Sequence, residues 1–309
     1  MFRTLAAGML GLLGTTMISG QVLAQLPPSA PTAAEAAAAA TRQGSYFNVN
    51  GARLFYQVQG AGVPLLLIHG FPLSGELYRG QLAELSNEFK VITPDLRGFG
   101  KSTTPDANGS IVTYAHDILA LMDHLKIERA IIGGHSMGGQ VTLELYKEAP
   151  QRFLGMMLID TNPSAPSTIE AGEFNAFSAQ VQQIGVPSIV PILTPQMLSG
   201  GYRATNPAGT AVMSDILAEG SVDGVAAGGQ ALATRGDYNA LLPTITVPTL
   251  VLVGLNDNIY SYEVSELTRV AIPFSRLVVI PPAEHAPMFE KPLQTDLAIA
   301  EFAGRIRRH

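Results

Sequence analysis

Short, wholly apolar runs alternate with helical patterns along most of the chain, and this alternation limits the fold more than any other feature. A strand that is apolar on both faces is buried on both, which is typical of a parallel sheet covered by crossover helices. The sequence therefore predicts an α/β fold with a mostly parallel central sheet and helices on both faces. The predicted strands cover residues 63–68, 91–93, 130–132, 156–159, 249–253 and 277–280.

Two patterns mark the start and the end of the domain. Residues 45–59 alternate in polarity around Asn50-Gly51, a pair that favours a type I′ hairpin turn because it tolerates positive φ at both positions. Near the other end, Ile299, Phe302 and Ile306 recur at helical spacing. We expect one main domain over residues 44–309, since a chain of 309 residues that is 47% hydrophobic can bury a large core.

The strand pattern stops between residues 162 and 239, where the segment is glycine-rich and irregularly apolar. We expect a helical cap insertion at about 162–240, with enough apolar surface to lie over a cleft. Arg203 and Arg235 are its only basic residues. The acidic residues of the cap are Glu170, Glu173, Asp215, Glu219, Asp223 and Asp237. This surplus favours a neutral substrate, because arginine is the usual partner of a bound carboxylate.

The first residues have the pattern of an export signal. Arg3 precedes an apolar stretch over residues 5–18, and Ala24 ends a cleavage pattern of small residues. We expect a signal peptide at 1–24, a Pro/Ala-rich linker at 25–43, and a secreted or periplasmic protein. An uncleaved anchor is the alternative, although the stretch is shorter than the ~20 apolar residues that span a bilayer.

Charge and composition argue against several classes of partner. The net charge is −6 with no block of lysines or arginines, so no nucleic-acid partner is expected. The chain has no cysteine, which removes disulfides, thiolate metal sites and a cysteine nucleophile. Gly98-Phe-Gly100-Lys101-Ser102 fails the spacing of a phosphate loop. We therefore predict neither a cofactor nor a metal ion.

One strand runs into Gly134-His135-Ser136-Met137-Gly138 and then into a helix. In a nucleophile elbow the serine occupies a strained turn between strand and helix, and the flanking glycines avoid clashes with both backbones. The sequence therefore predicts Ser136 as a nucleophile.

A serine nucleophile needs a base, and the base needs an acid that holds its tautomer. Among six histidines, His285 follows the strand at 277–280 and is the predicted base, whereas His116 and His124 lie on the exposed stripe of a helix. Asp257 follows the strand at 249–253 and is the predicted acid. Asp160, after the preceding strand, is the competitor, with helix capping as its other interpretation.

Backbone N–H groups must also face the oxyanion that forms during acyl transfer. Met137 follows the nucleophile and supplies one predicted donor. Phe71 supplies the other, because His69-Gly70-Phe71-Pro72 ends a buried strand in a glycine turn. His69 is expected to prop this loop by hydrogen bonding rather than to titrate.

These motifs together resemble the α/β-hydrolase superfamily over about residues 45–305. The blocks that carry the resemblance are His69-Gly-Phe-Pro72, Asp95-Leu-Arg-Gly-Phe-Gly-Lys-Ser102, Gly134-His-Ser-Met-Gly-Gly139, Gly254-Leu-Asn-Asp257, and Glu284-His285 followed by Glu290-Lys-Pro292. In detail they are similar to the capped branch of small carboxylesterases, enol-lactonases and cofactor-free haloperoxidases (perhydrolases). Serine at position 136, where haloalkane dehalogenases and epoxide hydrolases carry aspartate, argues against those two activities.

The expected function is cleavage of carboxylic esters or lactones of small, neutral substrates through an acyl-enzyme on Ser136. A perhydrolase or haloperoxidase, or a carbon–carbon bond hydrolase, would use the same three residues. A binding protein built on this fold is an alternative of another class. The presence of serine, histidine and aspartate together favours an enzyme.

Overall fold

The computed structural model describes residues 43–307. The signal peptide expected at 1–24 and the linker expected at 25–43, apart from residue 43, lie outside the described residues.

Eight strands form one sheet in the order β1-β2-β4-β3-β5-β6-β7-β8. Strand β2 pairs antiparallel with β1 and β4, and every other neighbouring pair is parallel. Five of the six predicted apolar runs lie within a strand and the sixth, 63–68, begins one residue before β3, so the mostly parallel α/β fold is confirmed. The strands are β1 Ser45–Val49, β2 Ala52–Gln59, β3 Pro64–Ile68, β4 Lys90–Pro94, β5 Ala130–His135, β6 Phe153–Ile159, β7 Thr249–Gly254 and β8 Ser275–Ile280.

The first two strands form the predicted hairpin. Asn50 has φ of 45° and Gly51 has φ of 79°, the two positive values that a type I′ turn requires. Val49 pairs with Ala52 directly across the turn. The hairpin prediction is therefore confirmed.

Eleven α-helices lie within residues 43–307. The helices are α1 Arg79–Leu85, α2 Ile111–His124, α3 Met137–Glu148, α4 Thr168–Ile184, α5 Val190–Met197, α6 Gly200–Thr205, α7 Pro207–Ala218, α8 Val222–Ala233, α9 Tyr262–Ala271, α10 Pro287–Glu290 and α11 Pro292–Arg307. Helix α2 begins at an N-cap, since the Ser110 hydroxyl accepts the N–H of Thr113. His116 and His124 are exposed on this helix, as expected.

Helices α4–α8 lie between β6 and β7, in the segment for which the sequence predicts a cap, and we call residues 162–240, which contain these five helices, the cap. Helix α4 packs along α8, where the small residue Gly229 lies against Ser178. Gly224 lies directly against Gly98, with no room for a side chain on either glycine. Small residues thus bring the cap close to the loop after β4. Within the described part of the chain, no helix combines the length and apolarity needed to cross a membrane.

Candidate active site

Ser136 occupies the turn between β5 and α3. Its φ of 53° and ψ of −118° are strained for a residue with a side chain, and its N–H donates to the carbonyl of Ile159 at 2.9 Å. A Cβ on Gly134 would clash with the backbone of Gly138, so glycine is required there. The side chain is 8% exposed. The turn therefore presents the hydroxyl at the carboxyl end of the sheet.

His285 and Asp257 meet in a buried hydrogen bond. Asp257 follows β7, and its Oδ2 lies 2.9 Å from Nδ1 of His285. The other oxygen, Oδ1, accepts the N–H groups of Ile259 and Tyr260 at 2.8 and 3.2 Å. Since a carboxylate only accepts, Nδ1 carries the proton, and Nε2 of the neutral ring is left as the base.

The electrostatics of Asp257 favour its ionised form. Burial, the largest single effect, would raise the pKa of this carboxyl. The nearby His285 and the hydrogen bonds that the carboxylate accepts outweigh burial, and the pKa lies below its ordinary value. An ionised Asp257 can therefore hold the His285 tautomer that a general base needs.

His285 is held beside the elbow by the residue that precedes the serine. Nε2 of His135 donates to the carbonyl of His285 at 2.5 Å, and the ring centroids are 4.7 Å apart. Burial lowers the pKa of His135 well below its ordinary value, so this ring stays neutral. The ring of Tyr260 packs edge-on against His285 at 5.9 Å. No sequence pattern assigns a supporting role to His135 or Tyr260.

The loop after β3 approaches Ser136 closely. A Cβ on Gly70 would lie 2.8 Å from Cβ of Ser136, so only glycine lets this backbone approach. Nδ1 of His69 donates to the Gly70 carbonyl at 2.8 Å, while Nε2 accepts the N–H of Leu96 at 2.9 Å. His69 therefore props the loop, as predicted. Phe71 follows directly.

Met137, the other predicted donor, is the first residue of α3. The N–H groups of a helix's first turn lack partners within the helix and face its positive end. Phe71 and Met137 therefore lie in backbone segments that adjoin Ser136 from two sides. The ring of Phe71 packs edge-on against Phe99 and Phe177, at 6.1 and 5.6 Å.

Asp160, the competitor for the acid, does not cap a helix, so that interpretation was wrong. Its Oδ1 accepts the N–H of Gly254 across the sheet at 2.8 Å, whereas the N-cap of α4 is Ser167. The residue is fully buried, with φ of 45°. It lies beside Asp257 without a hydrogen bond from the His285 ring.

Glu290 is a buried carboxylate whose role the sequence motif Glu290-Lys-Pro292 does not indicate. It accepts the N–H of Glu284, next to the histidine, at 2.7 Å. Its other oxygen accepts the N–H and the hydroxyl of Ser199 at 3.1 and 2.5 Å. One side chain thus ties the histidine loop to the first turn of α6 in the cap.

The fold and these motifs have counterparts in known proteins. The sequence profile of the α/β hydrolase fold matches residues 63–292. A putative non-heme chloroperoxidase of Synechocystis is 32% identical over 75% of this chain and 88% of the relative. The 3-oxoadipate enol-lactonase 2 of Acinetobacter baylyi is 30% identical over 70% of this chain and 79% of its own length. A thermophilic esterase structure from Thermogutta terrifontis has a TM-score of 0.83 at 32% identity, covering 86% of this chain and 100% of the esterase.

Proposed function

The chain belongs to the α/β hydrolase fold family, and from this premise we propose that it is a serine hydrolase of carboxylic esters or lactones. The observation that carries the proposal is the strained Ser136 turn next to a histidine whose Nδ1 lies 2.9 Å from Asp257. Relatives named as an esterase and an enol-lactonase support ester bonds as the target.

In the proposed mechanism, Nε2 of His285 takes the hydroxyl proton as Oγ of Ser136 attacks the carbonyl carbon. The tetrahedral intermediate collapses to an acyl-enzyme, and the same proton passes to the leaving alcohol. A water molecule then repeats the attack with His285 as base, which releases the acid and restores the serine. Asp257 stabilises the imidazolium that forms in both halves without taking its proton.

The N–H groups of Phe71 and Met137 are the proposed oxyanion donors. In measured cases the loss of one such donor costs about 3 kcal/mol of transition-state stabilisation. Gly70 supports this role, because its lack of a side chain lets the Phe71 backbone approach Ser136.

The arginines and aromatic residues of the cap support the proposal that the substrate has a neutral acyl group. Arg235 has no exposed side-chain surface and already donates to Glu170 at 2.8 Å and to two backbone carbonyls. Arg203 uses Nε for the carbonyl of Leu198. From α4, the ring of Phe177 packs against Phe71 in the loop after β3. Such a lining favours apolar groups over a carboxylate.

Labelling with a fluorophosphonate probe tests the nucleophile. We expect one adduct, located on Ser136 by mass spectrometry, and loss of both labelling and ester hydrolysis in Ser136→Ala. Ser265→Ala is the matched control, since this serine is also buried but lies on α9. An adduct at another residue, or an active Ser136→Ala, would exclude the mechanism.

Paired neutral and anionic esters test the acyl preference. At low ionic strength we expect higher kcat/KM for short neutral esters or lactones than for matched substrates with a carboxylate on the acyl side. A preference for the anionic members would contradict the role given to the cap and favour an enol-lactonase-like substrate.

A perhydrolase is the second candidate, favoured by the relative named as a putative non-heme chloroperoxidase. Hydrogen peroxide would replace water in the attack on the acyl-enzyme, so a peracid would leave in place of the acid. Peracid formation from a short carboxylic acid and peroxide, lost in Ser136→Ala, is the result that would identify this activity.

We also propose export, on the basis of the sequence at 1–24. N-terminal sequencing of protein recovered outside the cytoplasm should begin at or near Gln25. A cytosolic form that retains Met1 would exclude it.

A further inference from the structure

Two buried aspartates lie side by side at the carboxyl edge of the sheet. Asp160 follows β6 and Asp257 follows β7. A carboxyl oxygen of each and a ring nitrogen of His285 all lie within 4.8 Å of one another. Two ionised carboxylates this close, both shielded from water, repel each other, and this repulsion favours a proton on one of them.

The hydrogen bonds decide which carboxyl is neutral. Asp257 accepts one hydrogen bond from His285 and two from backbone N–H groups of the loop that follows. Asp160 accepts one, from Gly254 to Oδ1, and no donor among residues 43–307 reaches its buried Oδ2. Because accepted hydrogen bonds stabilise the ionised form, the charge belongs on Asp257 and the proton on Asp160.

The surrounding charges act in the same direction. Burial, followed by the charge of Asp257, raises the pKa of Asp160 well above its ordinary value, and Glu290 adds to the effect. Tyr78 also faces this carboxyl, and burial raises the pKa of its hydroxyl, so it brings no charge. The ring of His285 donates its hydrogen bond to Asp257 rather than to Asp160.

We propose that Asp160 is a positioning residue whose neutral carboxyl donates a hydrogen bond to Asp257 and keeps that carboxylate aimed at His285. This inference rests on the proposed function, since Asp160 acts through the triad aspartate and not on the substrate. Its other oxygen is fixed by the N–H of Gly254, the last residue of the strand that leads to Asp257. The separation of the two carboxyls is therefore set by the sheet itself.

Two substitutions separate a neutral donor from an ionised acid. Asparagine keeps an oxygen for Gly254 and offers an N–H to Asp257 without a charge. We expect Asp160→Asn to retain kcat within about threefold, and Asp160→Ala to lose about tenfold to a hundredfold in kcat with KM little changed. The acidic limb of the kcat/KM profile should move to higher pH in Asp160→Ala, because Asp257 without this donor holds the histidine proton more strongly. Equal impairment of both variants, or wild-type rates in both, would overturn the inference.

Unfolding measurements test the proton without reference to activity. Unfolded Asp160 ionises in the ordinary carboxyl range, whereas the folded protein retains its proton to higher pH. The folded state therefore binds more protons within that window, and its stability falls as pH rises through it. Asp160→Asn has no such proton, so its free energy of unfolding should increase relative to wild type between acidic and neutral pH.

Asp95 provides a matched control at the same edge of the sheet. It is buried, and its two oxygens accept the N–H groups of Gly75 and Lys101. In Asp95→Asn the side-chain amide nitrogen faces one of these N–H groups, and two donors cannot form a hydrogen bond. The variant should therefore be less stable than wild type at neutral pH. Asp95→Asn should thus lower the free energy of unfolding at neutral pH, whereas the difference between Asp160→Asn and wild type should change in favour of the variant as pH rises from acidic to neutral.

The outcomes distinguish this inference from the proposed function. A wild-type protein that neither hydrolyses esters nor is labelled at Ser136 contradicts the proposed function, while the unfolding data still test the proton on Asp160. An active wild type combined with no relative gain in stability for Asp160→Asn means that Asp160 is ionised, and this inference is then wrong.

Discussion

The catalytic edge of the sheet and the cap are fixed in different ways. At the edge, backbone N–H groups hold the carboxylate of Asp257, and a side chain on Gly134 would clash with backbone atoms. In the cap, Gly172 and Gly201 have open space around them. The cap also exposes large apolar side chains, namely Ile169, Ile184 and Ile192. Substitutions at the edge should therefore abolish chemistry, while the cap should tolerate change and adjust substrate choice.

The largest effect is expected at the edge, from Asp257→Asn. We expect kcat to fall by about 10⁴-fold, as the same change does in a serine protease triad, because the asparagine favours the wrong tautomer of His285. Steady-state kinetics on a short neutral ester measure this. The control is Asp123→Asn, an aspartate whose side chain is 69% exposed. A crippled Asp160→Asn with a near-normal Asp257→Asn would reassign the acid.

The cap contains one site that should behave like the edge. Arg235 is buried and donates to Glu170 and to two carbonyls, so Arg235→Met leaves acceptors unpaired. We expect the free energy of unfolding to fall by about 3 kcal/mol. Denaturant titration measures the loss, and Arg305→Met, which breaks an exposed pair with Glu301, is the control with little change. Equal effects of the two changes would contradict the assigned role of Arg235.

A smaller effect is expected where the cap contacts Phe71 in the loop after β3. A Cβ on Gly228 would lie 2.5 Å from the Phe99 ring and 2.8 Å from the Phe71 ring. Because Phe71 carries a proposed oxyanion donor, we expect Gly228→Ala to lower kcat/KM by about tenfold. An unchanged kcat/KM would show that the rings move without disturbing the backbone.

The smallest effect is expected at Gly172 on α4, where an added Cβ would have nothing within 4 Å. Alanine should raise the free energy of unfolding by about 0.5–1 kcal/mol, since glycine costs that much inside a helix. Thermal unfolding measures the gain, and kcat/KM should stay unchanged. A loss of activity here would mean that the cap is as constrained as the edge.

The strands and the positions of the triad candidates followed from the sequence for one reason. A strand buried on both faces is apolar throughout, so its end can be located within a few residues. Ser136, Asp257 and His285 all follow such ends, and parallel strands bring their carboxyl ends to one edge. The local sequence around each residue therefore predicted that these three residues, far apart in the chain, lie at one edge of the sheet.

The ends of the cap helices and the supporting contacts did not follow from the sequence. Glu290 and Ser199 are 91 positions apart, and no periodic pattern links them. The contact of Asp160 with Gly254 depends on strand order, which apolar runs alone leave open. Within the cap, apolar residues without a clear helical period indicated helices but not their ends.

The carboxylate of Glu290 has a consequence for how such a protein can diversify. It receives the N–H and hydroxyl of Ser199 from the cap and the N–H of Glu284 from the core. A cap taken from a relative must supply an equivalent hydroxyl and N–H to the Glu290 oxygen that accepts from Ser199. Without them the buried carboxyl group of Glu290 loses two of its three donors, next to the loop that carries His285. Exchange of caps between relatives is therefore constrained at Glu290 of the core, even where the rest of the inserted sequence is free to change.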